Sequence, residues 1–461
     1  MADTGIRKIF TAALLLCLAG CAPPLPPPDT AVQAKAYLPT PLNNPALRTG
    51  AVSAQWWSQF GSAELDHLES DALLASPTLA QATANLAAAQ ANGAAATGAY
   101  LPQIGLNPND TRQAYPTGPN GSPPYTIYSL TGSISYDPGL FGARHYAFAN
   151  AQAEIAYQQA ELDAARQTLI GNIAASFIGA ASYTAQIAAT RRIIANEQNL
   201  LTLLNGEYAD GAIPKLNVLQ QQAQILATQS TLYPLQTERD TLQDRLAVLT
   251  GRLPAQLQMQ PPDLAALTVP SDIPVALPSQ YLANRPDLRA ARALVAAQNA
   301  TLGIAVAHLY PDLTLSANGG YASQTLNTLF EPSAGLWSLA GNLLQPLYDG
   351  GVLHARKRAA QAQLAAALSA YHETVLDAFG QAADTLQALQ NDAAALSQAQ
   401  AAASTAAQAY QLASQQFALG AVDYTTVLTA QITSGQQALV LVQTRASLLL
   451  DIARLQSVMA R

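Results

Sequence analysis

The chain has 461 residues and a formal net charge of −7, and only 11% of its residues are charged. It carries no basic stripe, which argues against a nucleic-acid partner. Half of the residues are hydrophobic, yet no apolar run reaches the roughly 20 residues that a membrane-spanning helix needs. This combination predicts a long helical protein that buries much of its surface against copies of itself.

The N-terminus has the layout of a secretory signal peptide that ends in a lipidated cysteine. Arg7 and Lys8 precede a mostly apolar run over residues 9–19, which is too short to be a good membrane span. Residues 18–21, Leu-Ala-Gly-Cys, resemble a bacterial lipobox. We therefore expect a signal peptide over residues 1–20 and covalent diacylglycerol and N-acyl chains on Cys21.

The residues after Cys21 support this interpretation. Five of the next seven residues are proline, which favours an extended tether over the alternative, an ordinary buried cysteine in a helix. Ala22 replaces the Asp that typically retains lipoproteins at the inner membrane, so the resemblance implies the outer membrane as the destination.

The sequence repeats itself once. Three pairs of landmarks, at offsets of 209, 212 and 209 residues, are Pro102 with Pro311, Asp137 with Asp349, and Gly211 with Gly420. Their order makes chance similarity between alanine-rich helices a poor explanation. On this alignment the second repeat gains three residues around its extended segments and loses three in its long helix.

Each repeat has the same predicted elements in the same order. A helix ending near a proline is followed by two short extended segments, a very long helix, a glycine turn and a second long helix. The longest helices are predicted over residues 142–205 and 351–419, each about 100 Å long. Helices of this length without internal caps indicate coiled-coil packing. Pro234 should bend the return helix of the first repeat.

The extended segments, 126–136 and 313–321, alternate between apolar and small polar residues. Such alternation over about ten residues is typical of transmembrane β-barrel strands, although half-buried strands of a soluble sheet share it. Aromatic residues near the segment ends suit an interfacial belt: Tyr125, Tyr136, Trp337 and Tyr348. Four strands cannot close a barrel, for which about eight are the practical minimum, and lipid does not tolerate open strand edges. The chain is therefore predicted to oligomerise.

No convergent set of catalytic or metal-binding groups is apparent. His372 and Glu373 begin like a zinc-protease motif, but Leu376 stands where the second histidine is required. A phosphate-binding Gly-x-x-x-x-Gly-Lys loop is also missing from the sequence. We therefore predict a protein that is not an enzyme, that uses no cofactor, and that borrows energy for transport from a partner.

Short motifs recur in a fixed order along nearly the whole mature chain. They are Trp56-Trp57 with Phe60, Tyr136-Asp137 with Leu140-Phe141-Gly142, Asn284-Arg285-Pro286-Asp287-Leu288, Tyr310-Pro311, residues 346–351, and Gly420 with Tyr424, Val427-Leu428 and Ala430-Gln431. In their order and spacing the chain resembles the TolC-like outer-membrane efflux channels, in the lipoprotein branch called the NodT family.

The resemblance implies a mostly α fold with a β-barrel portion. Three chains would form a 12-stranded outer-membrane barrel, continued by a long α-helical coiled-coil periplasmic tunnel. The expected domains are the signal peptide (1–20), a lipid-anchored Pro-rich segment (21–60), repeat one (61–252), a Pro-rich equatorial linker (253–279) and repeat two (280–461). Loops 107–124 and 322–336 would face the exterior.

The resemblance also places the site. The turns at residues 208–215 and 417–424 would be periplasmic tips, where the tunnel narrows and an adaptor docks on Gly211, Gly420 and Tyr424. Many relatives carry Asp shortly after each tip glycine, whereas this chain has Asn217 and Thr429. Two acids remain near the tips, Asp210 and Asp423. They form either a negative constriction or solvated turns, with Asp423 capping the last helix.

The implied function is a passive exit duct in the outer membrane, lipid-anchored and with a long periplasmic extension. It would carry drugs or other small molecules for an inner-membrane pump of the RND type and a periplasmic membrane-fusion adaptor. Two alternatives remain open: the outer-membrane channel of a type I protein-secretion system, and a structural coiled-coil lipoprotein.

Overall fold

The computed structural model of the chain describes residues 25, 28, 30, 46–114, 124–257, 259–260, 262–276 and 278–459. The predicted signal peptide and Cys21 lie outside the described residues. The chain divides into two compact units. We call Met1–Ala31, Ala84–Ala160 and Ala290–Glu373 the strand unit, and Val32–Thr83, Glu161–Arg289 and Thr374–Arg461 the tip unit.

The elements follow one another in the predicted order. Along the chain they are β1 (Leu47–Thr49), α1 (Ala63–Ala75), α2 (Pro77–Gly98), β2 (Gln103–Gln113), β3 (Tyr125–Tyr136), α3 (Ala143–Ala209), α4 (Lys215–Ser230), α5 (Leu232–Leu249), β4 (Ile273–Val275), α6 (Pro278–Asn284), α7 (Pro286–Ala307), β5 (Asp312–Ser323), β6 (Gly335–Leu344), α8 (Val352–Ala418) and α9 (Tyr424–Met459). Strands β1 and β4 form a short parallel pair in the tip unit.

The strand unit contains an antiparallel sheet in the order β2-β3-β5-β6. The two repeats meet where β3 pairs with β5, from Tyr128 opposite Ser323 to Tyr136 opposite Leu315. Gly320 allows this close approach, because a β-carbon there would overlap the Leu130 carbonyl. The strands predicted from alternation are confirmed, and among the described residues β2 and β6 each pair on one side only.

The predicted exterior loops were too long. Strand β2 continues to Gln113, so residues 107–113 are strand rather than loop, and β5 and β6 take both ends of the predicted loop 322–336. Asn, Pro and Asp at residues 107–110 are typical of turns. An edge strand nevertheless accommodates a proline such as Pro108, because its outer side has no ladder hydrogen bond to lose.

Both very long helices are confirmed, but the second is not shorter than the first. Helices α3 and α8 each have 67 residues. The extra residues of repeat one form a 3-10 turn, Leu140–Gly142, ahead of α3. Those of repeat two lie at 345–347, between β6 and Tyr348. In the 3-10 turn, Phe141 adopts a left-handed φ of 57° and its ring stacks on Tyr310 at 5.3 Å.

The return helices of the two repeats differ at the predicted position. In repeat one the helix is interrupted at Thr231, between α4 and α5. Pro234 has no N–H to donate to the carbonyl of Ser230, so the helical ladder breaks there. The return helix of repeat two, α9, lacks proline and runs unbroken for 36 residues.

Helix α7 is apolar enough and long enough to cross a membrane by composition, and it is the one such helix among the described residues. Its contacts within the strand unit are those of a packed helix. Asn150 donates from Nδ2 to the Ala297 carbonyl (3.0 Å) and to Thr301 Oγ1 (3.1 Å). Gly303 sits so close to the Tyr146 ring that a β-carbon there would overlap it.

A fully buried carboxyl lies in the tip unit. Glu69 is 0% exposed and shares one face of α1 with the buried residues Leu65 and Ala72. Neither of its carboxylate oxygens has a hydrogen-bond partner among the described residues. Burial, and secondarily the charge of Asp66, raises the pKa of Glu69 to about 9. Glu69 is therefore neutral in the folded protein at pH 7.

We expect Glu69→Gln to stabilise the protein at neutral pH. Because the folded pKa of about 9 exceeds the unfolded value of 4.5, the contribution of Glu69 to stability is most favourable below pH 4.5 and is lost as pH rises towards 9. At pH 7 this cost is about 3 kcal/mol. The Tm in detergent should therefore fall less between pH 5 and 8 in Glu69→Gln than in the wild type. Glu238→Gln, at an exposed position of α5, is the control; equal slopes in all three proteins would contradict the prediction.

Candidate functional site at the helical tips

Each long helix ends at a glycine in the left-handed conformation. The φ angles of Gly211 and Gly420 are 74° and 69°. One residue later, the Ala212 N–H donates to the Glu207 carbonyl (2.8 Å) and the Ala421 N–H donates to the Gln416 carbonyl (2.9 Å). These are the bonds of a Schellman motif, which satisfies carbonyls left free at a helix end. The repeats thus build the same reversal twice, and both glycines stay exposed.

Apolar contacts hold the two tips together. A buried cluster draws side chains from the ends of α3 and α8 and from the starts of α4 and α9. We call it the tip cluster: Leu200, Leu204, Val218, Ala413, Phe417, Tyr424 and Val427. Each fully buried Leu, Val or Phe contributes about 1.5–3 kcal/mol relative to exposure. The pairing of the two hairpins therefore does not depend on charges in the turns.

A buried polar network lies beside the tip cluster and joins all four helices. Gln221 of α4 donates from Nε2 to the Glu197 backbone carbonyl of α3 (3.0 Å) and to Gln431 Oε1 of α9 (3.3 Å). The Tyr424 hydroxyl donates to Gln221 Oε1 (3.0 Å). Gln431 donates from Nε2 to the hydroxyl of Tyr410 on α8 (3.1 Å). We call these five residues the amide network.

The carboxyl group of Glu197 lies beside this network. Its side chain is 1% exposed. Oε1 accepts from the Thr228 hydroxyl (2.8 Å) and from Gln224 Nε2 (3.3 Å), while Oε2 has no partner among the described residues. Burial raises the pKa of Glu197, and the bonds from Thr228 and Gln224 oppose this rise. Burial, and then the Glu197 charge, raises the pKa of Tyr424 to about 12.

Asp423 caps the last helix. Its Oδ1 accepts from the Thr426 N–H (2.9 Å) and from the hydroxyls of Thr425 (2.9 Å) and Thr426 (2.7 Å). The Thr426 hydroxyl bond, the Thr426 backbone bond and the Thr425 bond together lower the pKa of Asp423. Of the two interpretations left open for Asp423, the cap is the one that its contacts support.

The other predicted tip residues differ in how far they are exposed. Asp210 and Thr429 are exposed and Asn217 is half-buried; the Thr429 hydroxyl donates to the Thr425 carbonyl of its own helix (2.8 Å). Tyr424, which the resemblance presented as a contact for an adaptor, is instead only 2% exposed. It belongs to both the tip cluster and the amide network, because its ring fills the space between the hairpins.

Sequence reasoning missed Glu197, Gln221 and Tyr410. A signal for Glu197 was present, since it lies three and seven residues before Leu200 and Leu204, on the apolar side of its helix. The repeat offset of 209 residues aligns Gln431 with Gln222. The structure bonds it to Gln221 instead and leaves Gln222 exposed.

Comparison with known proteins identifies the family of this chain. The sequence model of the family described as outer membrane efflux protein matches residues 68–252 and 277–461. The chain is 29% identical over 434 residues to the pyoverdine export outer membrane protein OpmQ of Pseudomonas putida, covering 92% of this chain and 91% of that protein. It is 29% identical over 443 residues to the toluene efflux pump outer membrane protein TtgF of the same species, covering 92% and 90%.

A solved structure supports the fold. The outer-membrane channel OprN superposes with a TM-score of 0.89 at 23% identity, covering 95% of this chain and 99% of that one. The chain belongs to the outer membrane efflux protein family. It is a TolC-like efflux duct of the outer membrane, built from two repeats and continued by periplasmic helices; the family is one of transport ducts rather than enzymes.

Substitutions at Asp423 should separate capping from gating. Asp423→Ala removes the acceptor for the Thr426 N–H and should lower the Tm, while Asp423→Asn keeps an acceptor and should leave the Tm unchanged. If the role is capping alone, Asp423→Asn also leaves the cation selectivity of the reconstituted duct unchanged. Asp210→Asn is the comparison variant, because it removes an exposed charge from a residue that does not cap a helix. A change in selectivity with Asp423→Asn would show that its charge faces the ion path.

A double-mutant cycle should detect the amide network. We expect Gln221→Ala and Gln431→Ala to be coupled by about 0.5–3 kcal/mol in the free energy of unfolding, because each removes the other's buried partner. Gln222→Ala combined with Gln431→Ala is the matched control and should be additive within about 0.5 kcal/mol. Additivity in both cycles would mean that the Gln221–Gln431 bond contributes nothing.

Proposed function

We propose that three copies of the chain close one 12-stranded barrel in the outer membrane and continue it as a coiled-coil tunnel into the periplasm. The observation that carries the proposal is the four-stranded sheet, whose outer strands β2 and β6 have no second partner strand in the part of the chain that the structure describes. Exposed apolar residues alternate along the edge strands, with Ile104 and Leu106 on β2 and Trp337 and Leu339 on β6. In lipid such edges must be paired, and joining β6 of one copy to β2 of the next gives each edge strand a second partner.

We propose that the duct carries small molecules. The relatives' names describe pyoverdine export and toluene efflux, which favours small molecules over secreted proteins. Export then needs a periplasmic adaptor and an inner-membrane pump, of the RND type, because a passive duct supplies no energy. A type I secretion channel remains the alternative outcome of the test below.

The tips are proposed as the closure and the docking point. Gly211 and Gly420 keep their backbones exposed and suit contact with the adaptor, whereas the burial of Tyr424 removes it from that role. Asn217 and Thr429 carry no charge, and Asp423 is engaged as a cap. Closure is therefore assigned to the tip cluster and the amide network, with Asp210 as the remaining free acid at the turn.

The proposal includes the anchor and the domain boundaries. Residues 1–20 are removed, and Cys21 holds the lipid at the head of the Pro-rich segment 21–60. Repeats 61–252 and 280–461 flank the linker 253–279. Lipid on Cys21 would hold the chain at the membrane into which the strands insert.

Cross-linking in the native envelope, together with reconstitution in bilayers, tests the proposal. Full-length protein with an affinity tag after Arg461 is cross-linked in the native envelope, recovered and analysed by mass spectrometry, and a second sample is reconstituted in planar bilayers. We expect a trimer that conducts ions and that co-purifies with an adaptor and a proton-driven pump. Recovery of an ABC exporter would move the function to protein secretion. Absence of both trimer and conductance would leave the structural lipoprotein. Cys21→Ser is the control and should lose the acyl mass while keeping the trimer.

A further inference from the structure

Three consecutive cations stand in the second turn of α8, in a chain where only 22 of 461 residues are Lys or Arg. Arg356 and Arg358 are exposed and Lys357 is half-buried. None of the three forms a salt bridge among the described residues. Their side chains leave the helix about 100° apart and surround it at one level along its axis. We call them the basic patch. An unpaired concentration of charge on an exposed surface points to a partner outside the chain.

Helix stability gives no reason for the basic patch. The positions three and four residues away on either side hold Val, Leu, His, Ala and Gln, so no acidic residue forms an intrahelical pair. The first turn of α8 contains no acidic residue. The positive end of the helix dipole lies at this end and disfavours cations. The local electrostatics of the helix therefore disfavour the basic patch and do not explain it.

Two exposed apolar residues lie shortly before α8, separated from it by Asp349, Gly350 and Gly351. Leu347 is 95% exposed and Tyr348 is 92% exposed, and Val352 is exposed at the helix start. In repeat one, the residue that aligns with Tyr348 is Tyr136, and it is half-buried. Tyrosine with its apolar ring and polar hydroxyl is typical of a membrane–water interface.

The order of these residues matches the layers of a lipid leaflet. Strand β6 ends at Leu344, the exposed apolar residues follow, and the basic patch begins four residues after Val352, about 6 Å further along the helix. Apolar side chains would lie at the edge of the hydrocarbon layer, and Arg and Lys would lie one helical turn beyond it. This arrangement places the cations among the headgroup phosphates. Guanidinium groups bind phosphate oxygens in pairs.

We propose that Arg356, Lys357 and Arg358 bind the phosphates of anionic phospholipids in the periplasm-facing leaflet of the outer membrane. The inference rests on the proposed function, because it requires the strands to span that membrane. In a trimer the patch recurs three times around the barrel rim. It fixes the depth of the barrel and the point at which the helices leave the membrane, independently of the lipid on Cys21.

Native mass spectrometry of the full-length trimer, titrated with phosphatidylglycerol or with phosphatidylcholine, tests the proposal. We compare the wild type with the triple variant Arg356→Gln, Lys357→Gln, Arg358→Gln. The matched control neutralises three exposed cations of α3, namely Arg166→Gln, Arg191→Gln and Arg192→Gln. Wild type and control should bind phosphatidylglycerol at least about tenfold more tightly than phosphatidylcholine, a preference that weakens with salt. The patch variant should lose most of this preference.

Other results would overturn the proposal in distinguishable ways. An unchanged preference in the patch variant would exclude phospholipid binding by these residues. Dissociation of the lipid-free variant into monomers would assign the patch to a contact between subunits. A changed ion selectivity in bilayers with unchanged lipid preference would place the cations in the lumen. If the wild type itself forms no conducting trimer, the proposed function fails, and this inference fails with it.

Discussion

The unpaired edges of the four-stranded sheet are the constraint on which the rest of the molecule depends. Every backbone N–H and C=O group needs a partner, and lipid offers none. Each repeat supplies one hairpin, and the pairing of β3 with β5 joins the two hairpins into one sheet. That sheet still ends in β2 and β6. In the proposed trimer, β6 of one copy and β2 of the next would supply the missing partners, which is why we interpret the fold as part of a duct.

The same duplication builds the tip unit, but there packing rather than backbone pairing joins the repeats. The two glycine turns repeat the same Schellman geometry, whereas the residues that follow have diverged. Pro214 precedes α4 and makes no side-chain cap, while Asp423 caps α9. Proline also interrupts the return helix of repeat one, at Pro234, and leaves that of repeat two continuous. The two hairpins therefore share one sequence pattern but differ in their caps and in the continuity of their return helices.

Apolar contacts and polar contacts have different tasks at the tips. Burial in the tip cluster is non-directional, so it favours contact between the four helices without fixing their longitudinal alignment. Hydrogen bonds are directional and short. Gln221 bonds to α3 and α9 at once, and a shift of one helical turn would separate these partners by about 5.4 Å. The amide network therefore sets the register of the helices, while the unpartnered Oε2 of Glu197 makes that arrangement costly to keep when the carboxyl is charged.

The sequence by itself determined the elements that depend on local periodicity and order. Alternation predicted β3 and β5, the absence of internal caps predicted the two long helices, the missing N–H of Pro234 predicted the interruption near it, and the order of motifs predicted the family. Only the tertiary structure decided which side chains meet. It extended β2 through Pro108, paired Gln431 with Gln221 rather than Gln222, and buried Tyr424. These partners lie up to about 210 residues apart in the chain, and such contacts arise from packing between helices, which local sequence patterns do not encode.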